Sequence, residues 1–425
     1  MSHRPISTYG AIAFALTALG AAPIAGNAAT VGPVTDPIGV VRLAKGEPIQ
    51  IGGYWVMSGP DSALGTDEKR AVDIAIKDNG GKLLGHPIKF NVEDAACNAE
   101  GGQTAATKLA SNPRNVIIIG PACSSVATPA APILWNAGMV DIDTAATAPS
   151  LTASDRPPGY DGLVRTVYSD LDQGRADAKY LYDVLKARKV VAVHDESPYS
   201  TELAAVMARN FERLGGKVVS TEAVQSTDVD MHPLLTRIAT EKPDVVYMPL
   251  FIAAAAQIAR QVKDVPGVEH VTLIGSSALM APDFLQAGRD AAVGFRFTYP
   301  DQSADAMGKN YPKFVQEYTK AFGEAPISGF HANAYDAATL AFKAIEKVAK
   351  TDKDGSLYIG RKALRDAVYA TKFQGISGPI ACDAHGECAK FKPAVYQFTN
   401  ADPKTFKIGI NPKKVWPAAV EDSSG

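Results

Sequence analysis

The sequence predicts an α/β protein made of two doubly wound lobes, and three observations carry the prediction. The chain has 425 residues, too many for one comfortable hydrophobic core. Its composition, 46% hydrophobic and 21% charged, is that of an ordinary globular protein. From about residue 48 onward, short apolar runs alternate with helical periods. Ile117–Ile119, Val190–Val193, Val245–Met248 and Val271–Ile274 each lead into a small-residue or polar loop and then a helix-like spacing. Continuous apolar strands alternating with helices mean parallel sheets covered on both faces.

In chain order, the first segment is an address. Arg4 precedes a run from Ala11 to Ala25 rich in Ala, Leu, Ile and Phe, and Gly26-Asn27-Ala28-Ala29 is small enough for signal-peptidase cleavage near Ala28 or Ala29. Gly20 and Pro23 interrupt the apolar run, and no later stretch approaches the roughly 20 apolar residues that a membrane-spanning helix needs. The expectation is a signal peptide over residues 1–29 and a soluble exported protein. Residues 1 to 45 and the polar C-terminal tail are set aside from the folded elements. Ile49-Gln50-Ile51-Gly52-Gly53 opens the first strand. Thr66 is the expected cap of a helix running to Asn79-Gly80-Gly81, and a further helix is expected from near Ser200 to Leu214-Gly215-Gly216.

Residues 93–149 concentrate the chemistry. Cys97 follows Glu93-Asp94-Ala95-Ala96, and Cys123-Ser124-Ser125 opens a helix after the Ile117–Ile119 strand. Asp141-Ile142-Asp143 runs into the hydroxyl-bearing loop Thr144-Ala145-Ala146-Thr147-Ala148-Pro149. In open parallel sheets ligands sit at the carboxyl ends of strands, and two such ends offering hydroxyls and free N–H groups imply a cleft that accepts an anion. An oxidising compartment favours disulfides, and Cys97, Cys123, Cys382 and Cys388 can pair in three ways. The most economical joins Cys97 to Cys123 at neighbouring strand ends and Cys382 to Cys388 across a tight turn. A metal site at that turn, with His385 as third ligand, fits no common zinc spacing and lacks a fourth ligand.

Other classes find little support. There is no Gly-x-Ser-x-Gly elbow, His-Glu-x-x-His pair, phosphate-binding Gly-x-x-x-x-Gly-Lys-Ser/Thr loop or Gly-x-Gly-x-x-Gly turn. Ser124 has no identifiable base, so no enzyme activity, cofactor or metal is expected. A formal net charge of −2 gives no electrostatic case for nucleic acid or an anionic membrane, so the partner should be a small molecule.

The motifs taken in order resemble the periplasmic branched-chain amino-acid binding proteins, the substrate receptors of ABC importers. The residues that carry this are Ile49–Gly53, Met57-Ser58-Gly59-Pro60 with Gly65, Glu93–Cys97, Cys123–Ser125 and Thr144–Pro149. Arg165-Thr166, Asp172-Gln173-Gly174, Tyr335-Asp336-Ala337 and Gly375-Ile376-Ser377-Gly378-Pro379-Ile380 continue the series. The resemblance implies a type I periplasmic binding protein, whose lobes are joined by a three-crossing hinge. Lobe one would take 46–167 plus 297–375 and lobe two 168–296 plus 376–417, with crossings at Arg165–Ser169, Phe297–Asp301 and Gln374–Gly378. It also implies that the Ser124 hydroxyl and N–H meet a ligand carboxylate at a helix N-terminus, with Ala145 contributing a backbone group and Thr147 its hydroxyl and N–H.

Three departures bear on the ligand. Ser277 stands where the amino-acid receptors place an acidic residue against the ligand ammonium, and a buried ammonium without a counter-charge costs several kcal/mol. Leu64 replaces an aromatic lid residue, and Phe251 falls near a tyrosine that helps hold the amino group; Tyr199 keeps an aromatic wall. Tyr54, Trp55 and His331 are further candidate lining residues, with packing in the lobe core the favoured role for Trp55 and capping of the helix through Tyr335 the alternative for His331. The expected ligand is a small carboxylate with an uncharged body, an aromatic or aliphatic acid in preference to an α-amino acid. A monomer delivering it to an inner-membrane ABC permease is expected. The alternatives are a branched-chain amino-acid receptor and a ligand sensor for a regulatory partner.

Overall fold

A computed structural model describes residues 28–417. The expected leader lies outside the described residues except for Ala28 and Ala29, and so does the chain beyond 417. Two sheets organise the molecule. The first has six strands in the spatial order Lys82–Leu83, His86–Asp94, Ile49–Trp55, Asn115–Ile119, Asp141–Asp143, Leu163–Arg165, all parallel except the short first one. The second has seven, in the order Lys217–Ala223, Lys189–His194, Val245–Tyr247, Thr272–Gly275, Arg296–Pro300, Pro393–Gln397, Lys413–Trp416. Its last two strands are antiparallel additions. Asn115–Ile119 and Val245–Tyr247 are buried along their whole length, which is why they read as unbroken apolar runs.

Ignoring the short edge strand and the two antiparallel additions, both sheets share one order: second, first, third, fourth, fifth in chain sequence. Each therefore reverses direction of growth between its first and third strands. Ligands of open α/β sheets bind at that crevice, outside the carboxyl ends of the strands.

The helix after the first strand spans Ser62–Asp78, so it begins a turn before Thr66, which is not its cap. Packing explains the earlier start. A Cβ on Gly65 would lie 2.1 Å from the Val56 carbonyl oxygen, so the first turn lies directly on the strand end and must already be helical at Gly65. The C-cap at Asn79 agrees with expectation, as do the bounds Pro198–Arg213 of the later helix, capped by the Ser197 hydroxyl.

Residues 29–43, set aside on sequence grounds, also fold. Ala29–Val31 and Val34–Asp36 form a hairpin, and Val40–Leu43 pairs with Leu357–Gly360. The buried Asp36 carboxylate accepts N–H groups of Lys362 and Ala363 at the start of helix Arg361–Ala370 (both 3.1 Å), a cap supplied from far away in sequence. Strands this short acquire a reason to form only from that distant partner.

Candidate functional site

One narrow cavity lies where the two switch points face each other, lined by Leu64, Ala122, Cys123, Ser124, Ala145, Thr147, Tyr199, Phe251, Ser277, Ala278 and Phe330. Leu64, Ser124, Ala145 and Thr147 follow strands of the first sheet; Tyr199, Phe251 and Ser277 follow strands of the second. The structure thus gathers all seven candidate lining residues into one space. Of these only Phe251 is not fully buried.

Ser124 is the first residue of helix Ser124–Asn136, with Cys123 as its N-cap in extended conformation. First-turn N–H groups have no partner inside a helix. The disulfide Cys97–Cys123 and the bond from the Ser125 hydroxyl to the Cys97 carbonyl (2.8 Å) tie this end to the tip of the neighbouring strand. The Ser124 Oγ accepts the Ala148 N–H at 3.1 Å, which leaves its own proton free to donate.

In the second loop the Ala145 N–H is already taken by Asp143 Oδ1 (3.0 Å), so Ala145 offers the cavity its carbonyl. The Thr147 hydroxyl donates to Asp170 Oδ2 at 2.8 Å, so its remaining polar resources are an oxygen lone pair and the N–H. Asp170 is buried and its Oδ1 has no partner. Burial pushes its carboxyl well above the usual range, against the pull of the Thr147 hydroxyl and the Arg165 guanidinium. Asp170 went unrecognised in the sequence, and so did Phe330 and Ala278, because each reaches the site only through tertiary folding.

The opposite wall is apolar and hydroxylic. Tyr199 packs on Phe251 (centroids 5.4 Å apart), and its hydroxyl bonds Ser276 and lies 3.4 Å from Ser277. None of the described lining residues is acidic.

Tyr54, Trp55 and His331 do not line the cavity. Tyr54 donates to Asp141 at 2.5 Å, and the Trp55 indole donates to Glu68 and to Thr144 (both 3.0 Å). His331 starts helix His331–Val348 and sits between Asp67 (2.8 Å) and the Tyr311 hydroxyl (2.9 Å). Each has a polar atom that burial obliges to find a partner, and that partner lies in the first lobe's interior.

Carboxylates from both lobes reach across the cleft between them. Asp61, at the cap of helix Ser62–Asp78, accepts the N–H of Ile252, the first residue of helix Ile252–Gln261. Reciprocally, Glu202 of helix Pro198–Arg213 accepts the N–H (2.9 Å) and hydroxyl (2.6 Å) of Ser150. Asp61 thereby meets a helix N-terminus of the other lobe, where the peptide dipoles favour negative charge. The second disulfide, Cys382–Cys388, closes a turn beside Arg165.

A family model described as periplasmic binding protein matches residues 48–401. A Leu/Ile/Val-binding protein of Rhizobium johnstonii is 30% identical over 72% of this chain and 80% of its own length. Among solved structures, a leucine binding protein from Thermotoga maritima superposes with a TM-score of 0.73 at 25% identity, covering 83% of this chain and 96% of that one. A solute binding protein of an ABC transporter from R. palustris, in complex with benzoate, gives 0.70 at 22% identity, covering 87% and 95%, a likeness of fold.

Proposed function

The chain belongs to the periplasmic binding protein family, and on that premise we propose that it is the solute receptor of an ABC importer, taking a small carboxylate-bearing ligand between its lobes. The observation that carries this reading is the pairing, inside one cavity, of an anion-accepting corner with a wall free of acidic side chains. The corner consists of the Ser124 hydroxyl, the N–H groups of the helix it starts and the Thr147 N–H. The wall consists of Tyr199, Phe251, Ser277 and Ala278.

The mechanism is binding without bond making. The ligand docks on the lobe built around the first sheet, the lobe built around the second sheet swings over it, and the Asp61 and Glu202 contacts form as the gap closes. The closed form is what a membrane permease would recognise, and residues 1–29 would direct export to the periplasm.

A branched-chain amino acid is the second reading, and a specific feature favours it. The Ala145 carbonyl and the Thr147 oxygen are two acceptors on one edge of the cavity, with Asp170 behind them, an arrangement that suits an ammonium group. Isothermal titration of the leaderless protein decides between them. One site per chain for benzoate, 4-hydroxybenzoate or a short aliphatic acid supports the first reading; tight binding of leucine, isoleucine or valine with no acid binding overturns it and leaves the receptor role standing.

A further inference from the structure

Arg165 ends the last strand of the first sheet and is completely buried, yet it lines no part of the cavity. Its guanidinium is fully engaged. Nη1 donates to the carbonyls of Ala146 (3.1 Å) and Ala148 (3.0 Å), Nη2 to the Thr152 hydroxyl oxygen (2.8 Å) and to Glu387, and Nε to Glu387 Oε2 (3.1 Å).

The two carbonyls flank Thr147. In a planar trans peptide the C=O and the following N–H point in opposite directions. Holding the Ala146 carbonyl on the guanidinium therefore turns the Thr147 N–H away from Arg165. The next peptide is pinned from both sides: Asp170 N–H donates to the Thr147 carbonyl (2.9 Å), and Ala148 N–H donates to Ser124 Oγ (3.1 Å).

Glu387 is supplied by the turn that the Cys382–Cys388 disulfide closes. The same turn is stitched to the backbone of Arg165 on both sides, by Arg165 N–H to the Gly386 carbonyl (2.8 Å) and Cys388 N–H to the Arg165 carbonyl (3.1 Å). A planar fork is needed to serve two carbonyls and a carboxylate at once, which a lysine cannot do.

We propose that Arg165 and Glu387 are positioning residues for ligand capture: they aim the Thr147 N–H into the cavity, and the disulfide-closed turn Cys382–Cys388 keeps Glu387 in register. This rests on the carboxylate-binding role given above to Thr147. It assigns the second disulfide a task at the binding site although it lies outside the cavity.

The test uses the leaderless protein carrying Glu387→Ala, Glu387→Gln, or Cys382→Ser with Cys388→Ser, with 4-hydroxybenzoate and leucine as probes. Two readouts are taken: the Kd of whichever probe the unaltered protein binds, and the Thr147 amide resonance of ligand-free protein labelled with ¹⁵N-threonine. The expected result is a Kd raised about tenfold or more in Glu387→Ala and in the cysteine pair, a displaced Thr147 resonance in both, and substantial recovery in Glu387→Gln. A melting temperature that falls while Kd stays within about twofold and the resonance does not move overturns the proposal. If neither probe binds the unaltered protein, the ligand reading fails, and the resonance alone still decides the positioning role.

Discussion

Asp61 lies half-buried at the contact between the two lobes, and Asp61→Asn removes the protonic consequence of closing them. The Asp61 carboxyl is pushed up from 3.8 to about 6, first by desolvation and further by Asp283 and Asp195, with the Ile252 N–H pulling the other way. Opening returns the group to water and to its ordinary value. A carboxyl with the higher pKa in the closed form takes up a proton on closing. Acid therefore favours closure: the advantage is complete below about 3.8 and is lost as the pH rises through about 6. Between about pH 7.5 and about pH 5 these values give (1 + 10^(6−5)) ≈ 11 against ≈ 1, about a tenfold gain in the closure constant, which partial solvent screening trims to several-fold. The assay is titration calorimetry with the tightest-binding probe at constant ionic strength across that range. The native protein should tighten several-fold toward acid. Asp61→Asn should show a flat profile and bind at neutral pH as tightly as the native protein does in acid. An unchanged slope in the variant, or native affinity that weakens toward acid, refutes the reasoning.

On the proposed reading, Ser124→Ala deletes a hydroxyl that meets the ligand carboxylate and should weaken binding by about tenfold to a hundredfold, measured by calorimetry, the range of a lost hydrogen bond to a charged group. Its effect on the melting temperature should be small, since the hydroxyl's bond within the protein is the long one it accepts from Ala148. Ser277→Glu places a counter-charge in the apolar wall, so the ratio of leucine to 4-hydroxybenzoate affinity should rise by about tenfold or more in competition titration. Replacing Cys97 and Cys123 by Ser opens a crosslink of 26-residue separation and should cost about 3 kcal/mol in urea unfolding.

Much of the fold was legible because its signal is local. Asn115–Ile119 and Val245–Tyr247 carry their burial in their own residues, and the loops after them carry the small and hydroxylic groups that a strand end presents. Strand-end chemistry pointed to the hydroxyl-bearing loops, and the family resemblance singled out Ser124 and Thr147 within them. What escaped is what depends on partners distant in the chain. The 29–43 strands need Leu357–Gly360, the start of helix Ser62–Asp78 is set by Gly65 lying against Val56, and Asp170, Phe330 and Arg165 acquire meaning only from what they touch. The candidate aromatics Tyr54 and Trp55 show the converse: large polar-tipped rings at a strand end can turn inward when buried carboxylates wait for them.

That inward turn of Trp55 gives the protein an optical property. Of three tryptophans, Trp135 lies by Arg365 and Trp416 beside Tyr180, whereas Trp55 donates to the Thr144 hydroxyl oxygen, one residue from Ala145. An indole's emission follows the dipoles around its nitrogen, so fluorescence from a form retaining Trp55 alone would report any displacement of the Thr144 hydroxyl beside the cleft without an attached dye.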